Sequence, residues 1–276
     1  LFQYAALKGI ALKNGYECKI PDPSEMEWHG QKCLLKEFHV DSDYLTAEDR
    51  HSLKHHAIEP SPHHFYSQML SIPDHTNIHG FFQSTHYFEG HEKQICQELT
   101  PHAEYLDFAR EYLQPLKSDG SEIVSIHLRR GDNTDGSKVD EKYLSFYGKN
   151  DIYDEESIYG KYISEALKAF EDTKVKYLVF SGGSRTGDDR EDIAWAKTNF
   201  GKDNFIVSDT NDPMRDLALI MSCDHNITCH MTSFGWWGAY LNPNPDKIVI
   251  APKNYFYEMP ADYTRPGHFP TDWRMI

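Results

Sequence analysis

The second half of this sequence alternates two textures, and the alternation limits the folds open to it. Apolar runs of strand length occur at Ile123–Leu128, Val175–Phe180, Phe205–Val207, Asn226–Cys229 and Lys247–Ala251. Between them lie stretches with helical spacing near 155–171, 190–199, 213–222 and 234–241. Asp212-Pro213 suits the start of the third helix, as a side-chain cap followed by a first-turn proline. Strands separated by helices read as a parallel sheet covered on both faces, an α/β fold. Ligands of such sheets bind outside the carboxyl ends of the strands, so chemistry is sought there.

The first half has a different grain. The spacing predicts a helix over 3–13, with Tyr4, Leu7 and Ala11 on one face and Asn14-Gly15 as the stop. Proline pairs at Pro21 and Pro23, and at Pro60 and Pro62, mark turns, and a long helix is expected over 91–113, ended by Pro115. Lys117–Ser121 reads as a linker, which divides the chain into domains 1–118 and 119–276. Twelve of the 16 histidines precede residue 103, with His51, His55 and His56 closely spaced. A metal-binding helix would bring a carboxylate or third ligand into register with such a pair, and none is present, so a solvated histidine-rich surface is the expectation and no metal is assigned.

Composition removes whole classes of function. The chain has 276 residues and a net charge of −15, against the basic footprint that nucleic-acid binding needs. No apolar run approaches the roughly 18 residues of a membrane span, and no signal peptide is legible. The five cysteines, Cys18, Cys33, Cys96, Cys223 and Cys229, are odd in number and form no Cys-x-x-Cys, so they read as reduced thiols. A cytoplasmic setting, bacterial or viral in type, is expected on that basis. The sequence opens on Leu1 without a starting Met and reads as continuing from an upstream piece, where an anchor stays open.

Three strand ends carry candidate chemistry. In Ile126-His127-Leu128-Arg129-Arg130-Gly131-Asp132 the alternation of a strand puts His127 and Arg129 on one face and Leu128 on the other. Two arginines there need a partner; a phosphate or diphosphate fits a guanidinium fork, and a salt bridge to a carboxylate such as Asp132 is the competing use. Thr232-Ser233-Phe234-Gly235-Trp236-Trp237 follows a strand and opens a helix, where a capping hydroxyl and free amides suit an anion; the two tryptophans read first as core. Phe180-Ser181-Gly182 ends another strand, and the Gly182–Asp189 loop fails as an NTP-binding loop because Asp188 stands where a lysine is needed. Asp209, after Phe205–Ser208, could accept the N–H groups of a guanine edge or be an ordinary turn residue. Asn226-Ile227-Thr228 spells a glycosylation site but lies in an expected buried strand.

These blocks, in this order, resemble glycosyltransferase family 11, the α-1,2-fucosyltransferases. His127, Arg129, Arg130, Gly131 and Asp132 match its His-x-Arg-Arg-Gly-Asp signature, and Leu1-Phe2-Gln3-Tyr4-Ala5 looks like the tail of its glycine-rich opening segment. Asp216-Leu217-Ala218-Leu219 through Trp236-Trp237-Gly238-Ala239-Tyr240-Leu241 resembles its C-terminal block, with Gly235 where a serine is usual. The resemblance implies a GT-B-like pair of Rossmann-type domains with a donor cleft between them, 1–118 on the acceptor side and 119–276 holding the nucleotide sugar. It implies inverting transfer of L-fucose from GDP-β-L-fucose to a glycan hydroxyl, the 2-OH of a galactoside, with neither metal nor cofactor. His127 would contact guanine, Arg129 the diphosphate, Asp209 the guanine edge and Ser233 a phosphate. Arg130, Ser181, Gly182, Thr232 and Phe234 complete the expected donor site, and Arg129 and Asp132 are the catalytic candidates, Asp132 as base or as structural partner of Arg130. Another GDP-sugar, or an inactive nucleotide- or glycan-binding homologue, is the alternative; the sequence leaves a homo-oligomer open.

Overall fold

A computed structural model of the chain describes residues 1–28, 31–62, 64–130, 158–182, 190–201, 204–230, 232–253 and 267–276. It divides into two compact units, Leu1–His102 with Thr264–Thr271, and Ala103–Tyr263 with Asp272–Ile276.

The first unit is built on helix α1 (Phe2–Asn14), which ends at Gly15 in the left-handed conformation, φ 71°. The helix is wrapped more fully than a single apolar face would require. Ala5, Ala6, Ile10 and Lys8 are all buried, whereas Leu7 is only half-buried. The buried Lys8 ammonium is paired with the Glu98 carboxylate, 3.1 Å away. Around α1 lie three two-stranded pairings. β1 (Lys19–Ile20) runs parallel to β4 (Asp43–Tyr44), β2 (Glu27–Trp28) antiparallel to β3 (Gln31–Lys32), and β5 (His55–Ile58) parallel to β6 (Thr76–His79). Helix α2 (Ala47–Ser52) starts with a capping box between Thr46 and Asp49.

Two expectations are corrected here. The described residues of the first unit contain no Rossmann-type sheet, only these short pairings; Pro21, Pro60 and Pro73 punctuate the segments and proline cannot extend a ladder on both sides. The long helix expected over 91–113 is two helices, α3 (Glu92–Glu98) and α4 (Ala103–Leu116). Pro101 lies between them and bridges to Phe38 instead, while Pro115 is taken into the last turn of α4. α4 belongs to the second unit, where Ala109 and Leu113 are buried in its core; the boundary drawn from sequence at 118/119 falls after this helix.

The second unit continues with β7 (Glu122–Arg129), α5 (Ile158–Lys168), β8 (Val175–Gly182), α6 (Arg190–Asn199), β9 (Phe205–Val207), α7 (Pro213–Ser222), β10 (His225–Ile227), α8 (Ser233–Leu241), β11 (Val249–Ala251) and β12 (Arg274–Met275). All six strands are parallel, in the spatial order β9-β8-β7-β10-β11-β12. Numbered within the unit this is 3-2-1-4-5-6, the doubly wound order whose direction reverses between the first and fourth strands. Val124, Ile126 and Leu128 of β7 pack with Ile163 and Ala166 of α5 and Ala196 of α6. Ile123 of the same strand packs on the other face with Leu113 of α4 and Leu219 of α7. The sheet is thus the middle layer of three. No helix of the described residues is long and apolar enough to cross a membrane, and all five cysteines are thiols.

Candidate active site

The order reverses between β7 and β10, and the crevice at their carboxyl ends is where a sheet of this kind leaves room for a ligand. The residues there are those of the His127 motif and the turn into α8. Alternation along β7 sends His127 and Arg129 toward the face that carries α8, and Arg130 toward the face that carries α6.

His127 is buried, with its ring 5.3 Å from that of Phe234 and its Nδ1 3.5 Å from the Cys229 sulfur. Burial, aided by the positive charge of Arg129, pushes its pKa down to about 3, so the ring is neutral at physiological pH. A neutral imidazole offers one donor and one acceptor, which suits recognition better than charge neutralisation. Gly235 faces it directly: a Cβ at that position would stand 2.8 Å from His127 Nδ1 and 2.9 Å from His127 Cβ. The glycine that departs from the family's serine is therefore the residue that lets the first turn of α8 close on this ring.

The two arginines diverge. Arg129 is half-buried, and its Nη1 donates to the carbonyls of Arg130 and Gly182, both at 3.3 Å, so the guanidinium bridges the ends of β7 and β8. Arg130 is held by α6: its Nε lies 3.3 Å from Asp192 Oδ1, and its guanidinium carbon sits 3.6 Å above the Trp195 ring. Stacking and pairing of this kind fix a guanidinium from two directions. Among the described residues Arg130 pairs with Asp192; Gly131 and Asp132 lie outside the described residues.

The other expected residues surround this centre. Thr232 caps α8, its hydroxyl accepting the Phe234 N–H at 3.3 Å, and is buried, while Ser233 stands exposed as the first helical residue. Phe234 is half-buried against His127. Ser181 lies opposite Leu128, and Gly182 opposite Arg129. The Ser181 hydroxyl is buried without a hydrogen-bond partner, as is Trp195 Nε1. Ser181 shares the face of its register partner Leu128, toward α5 and α6, so this hydroxyl lies on the layer opposite His127 and Arg129. Asp209 is exposed, two strands from β7, with Lys197 at 3.3 Å. Its loop is braced from below by Asp216 Oδ1, which accepts from Ser208 Oγ at 2.7 Å and Thr210 Oγ1 at 2.6 Å.

Some supporting residues carry no mark in the sequence. Asn226 is 1% exposed and ties the sheet together, its amide donating to Ser125 Oγ at 2.7 Å and Ile220 O at 2.8 Å and its oxygen accepting from Asn242 at 2.9 Å. A glycan cannot be attached to a side chain so enclosed. Tyr162 of α5 pins the end of β10 through Thr228 O at 2.6 Å and packs edge-on against buried His230. Trp236 and Trp237 are enclosed in the core, with Trp236 stacked on Tyr240. Among the described residues no three His, Cys, Asp or Glu side chains converge as metal ligands.

Set against known proteins, residues 63–274 match the family model for glycosyl transferase family 11. The chain belongs to glycosyl transferase family 11. It is 25% identical over 190 residues to the O-antigen biosynthesis glycosyltransferase WbnK of Escherichia coli, covering 65% of this chain and 55% of that protein. It is 29% identical over 184 residues to an α-1,2-colitosyltransferase of Escherichia coli, covering 64% and 55%. With the galactoside 2-α-L-fucosyltransferase SEC1 of Bos taurus it shares 26% identity over 183 residues, covering 63% and 44%. The chain thus spans about half the length of the curated relatives it matches. Among solved structures it is similar to POFUT1 in complex with GDP-fucose, 10% identical over 99% of this chain and 93% of that one, with a TM-score of 0.49. The NodZ α-1,6-fucosyltransferase soaked with GDP-fucose is 11% identical over 88% of each chain, with a TM-score of 0.47.

Proposed function

We propose that this family 11 chain transfers L-fucose from GDP-β-L-fucose to a hydroxyl of a glycan, the 2-OH of a galactoside, with inversion and without a metal. The observation that carries the reading is the pairing of neutral, buried His127 with Arg129 on one face of β7, at the point where the strand order reverses. His127 meets the guanine, and the guanidinium of Arg129 meets the diphosphate. The N-terminus of α8, with Thr232, Ser233 and the Phe234 N–H, faces the same charge, and the backbone of Ser181 and Gly182 at the end of β8 borders the site. Asp209 accepts the N–H groups of the guanine edge. Arg130 serves at one remove, through Asp192 and Trp195. The donor would lie in a GT-B-type cleft.

In the reaction the acceptor oxygen attacks the anomeric carbon as the bond from that carbon to the diphosphate oxygen breaks. The departing electron pair leaves on GDP, and the acceptor proton passes to a carboxylate base, for which Asp132 is the motif's candidate. Inversion converts the β-linked donor into an α-linked product. Arg129 and the helix terminus stabilise the charge that develops on the leaving diphosphate, the work a metal performs in other transferases.

A second reading concerns the sugar. The relative named as a colitosyltransferase shares more identity than the bovine fucosyltransferase does, and colitose differs from fucose in lacking the 3-hydroxyl. Donor competition between the two GDP-sugars distinguishes these readings. The base and diphosphate sites are tested by calorimetric titration with GDP and UDP in the presence of chelator. GDP is expected to bind selectively, and Arg129→Ala to weaken it by about 2 kcal/mol, roughly thirtyfold, the scale of a lost charge-assisted pair. Equal binding of UDP, or undiminished binding by the variant, would refute the assignment.

A further inference from the structure

His127 Nδ1 is closed in by two neighbours. The Cys229 sulfur lies 3.5 Å from it, and on the α8 side a Cβ at Gly235 would stand only 2.8 Å away. The sulfur is placed by the backbone around it. Cys229 lies two residues past the end of β10, next to Thr228, whose carbonyl accepts from the Tyr162 hydroxyl at 2.6 Å. The same hydroxyl is 3.2 Å from Ile250 O, and Thr228 N–H donates to Ile250 O at 2.9 Å. The chain is therefore held on both sides where it leaves the sheet and turns Cys229 toward the ring. Cys229 is a free thiol, 1% exposed, and His127 is 7% exposed, so water competes little for this contact.

The contact can run in two directions, and they are unequal. The ring is neutral, because burial and the charge of Arg129 push its pKa down to about 3. It therefore carries one N–H and one bare nitrogen, and the open question is which nitrogen holds the proton. A proton on Nδ1 would point a buried N–H at sulfur, a weak acceptor, and a buried donor left poorly satisfied is costly. A bare Nδ1 instead gives the S–H a good acceptor, and neither group is wasted. The proton then sits on Nε2, the ring nitrogen farther from the β7 backbone and the one left to meet a ligand.

We propose that Cys229 is a positioning residue for His127: its S–H donates to Nδ1, fixes the Nε2–H tautomer and makes the ring a donor toward the acceptor edge of guanine. The tautomer stands on the contact alone, whereas the step to guanine rests on the functional reading above. Guanine presents two acceptors on that edge, O6 and N7, while adenine has an amino donor beside its N7. A ring fixed as a donor favours guanine. A ring free to move its proton could accept from the adenine amino group instead, and base choice would relax. Cys229 thus acts on specificity without touching the nucleotide, and complements Asp209, which is assigned the N–H groups of the same base.

The tautomer is read directly by nitrogen NMR of the full chain labelled at histidine, since protonated and bare ring nitrogens resonate far apart; the His127→Gln variant assigns the signal. Without nucleotide, the parent chain is expected to show His127 protonated at Nε2 and bare at Nδ1, and Cys229→Ala to show a mixture of the two forms. A protonated Nδ1 in the parent, or an unchanged single form in Cys229→Ala, overturns the proposal. Binding supplies the second readout. Cys229→Ala is expected to weaken GDP roughly three- to tenfold, the scale of one neutral hydrogen bond, and to narrow the preference for GDP over ADP. His127→Gln puts an amide near the place of Nε2 and nothing at that of Nδ1, so adding Cys229→Ala to it is expected to change neither quantity. Equal losses in both backgrounds would make the cysteine a packing residue and also overturn the proposal. A parent chain that binds no GDP refutes the functional reading, while the NMR result still decides the tautomer.

Discussion

Gly235 and His127 show how one side chain sets the identity of another. With only 2.8 Å between the imidazole Nδ1 and the place a Cβ would take, and with the ring's own Cβ equally near, neither rotation nor a small shift relieves a substitution. Gly235→Ser is expected to cost roughly 1–3 kcal/mol, the range for overpacking an enclosed contact, read as a lower denaturation midpoint together with weaker GDP binding. A serine variant that keeps both would mean the ring is not confined. Asp209 is placed by a different device, the Asp216 carboxylate that takes the two hydroxyls flanking it. If Asp209 reads the guanine edge, Asp216→Ala lowers the preference for GDP over IDP, which lacks the exocyclic amine; Asp216→Asn, which keeps an acceptor oxygen, restores it. Asp209→Asn alone tests the base contact, so a null result there separates a wrong contact from a wrong brace. His127, Arg129 and Ser233 were legible because a motif and a strand end mark them. Asp216 lay unremarked inside a recognised block, and Asp192 and Trp195 are bare of any signal, being more than 60 positions from the arginine they hold.

At the scale of elements, alternation decides what the arginine pair can do. Two adjacent residues at a strand end face opposite layers, so Arg129 remains at the crevice while Arg130 locks α6 to the end of β7. Removing one member takes an ionic partner from a charge that is nearly shielded from water: the Arg130 and Asp192 side chains are 14% and 12% exposed. Asp192→Ala should therefore destabilise by up to about 3–5 kcal/mol in urea, whereas the paired apolar change Arg130→Met with Asp192→Leu costs less. A single variant as stable as the parent would reduce the contact to a surface pair. Five of the six strands and the helices after residue 155 are readable in the sequence because strands buried on both faces carry continuous apolar runs. β12 has only Arg274 and Met275 and no such run, and its place in the sheet comes from pairing with β11. The break at Pro101 is hidden in the sequence by apolar spacing that continues through it, although proline lacks the N–H that a continuous helix needs.

For the whole molecule, acid is the informative variable. Burial lowers the pKa of both His127 and His230 from 6.5 to about 3. Below pH 6.5 the unfolded chain takes up protons that the folded chain refuses, so stability falls as pH drops from 6.5 toward 3, by up to about 1.4 kcal/mol per pH unit for each ring. Above 6.5 neither ring contributes a slope. The carboxylates stabilised in the fold, such as Asp22 with its pKa lowered to about 2, have an ordinary value of 3.8, so their contribution is lost only in stronger acid. Urea midpoints between pH 6.5 and 4.5 should accordingly report the histidines, and His230→Gln should remove about half of the slope in that window. The same shift makes a prediction for binding. An ordinary histidine against guanine would change charge near pH 6.5, whereas His127 stays neutral in the folded chain. GDP-fucose, whose diphosphate is esterified at both ends and has no proton to lose in this range, should bind with a His127-dependent affinity that is flat from pH 8 to 5. A step in that affinity centred near 6.5, absent in a His127→Gln variant, would mean that the ring is hydrated and charged at the site, and its role would then be to the phosphates and not to the base.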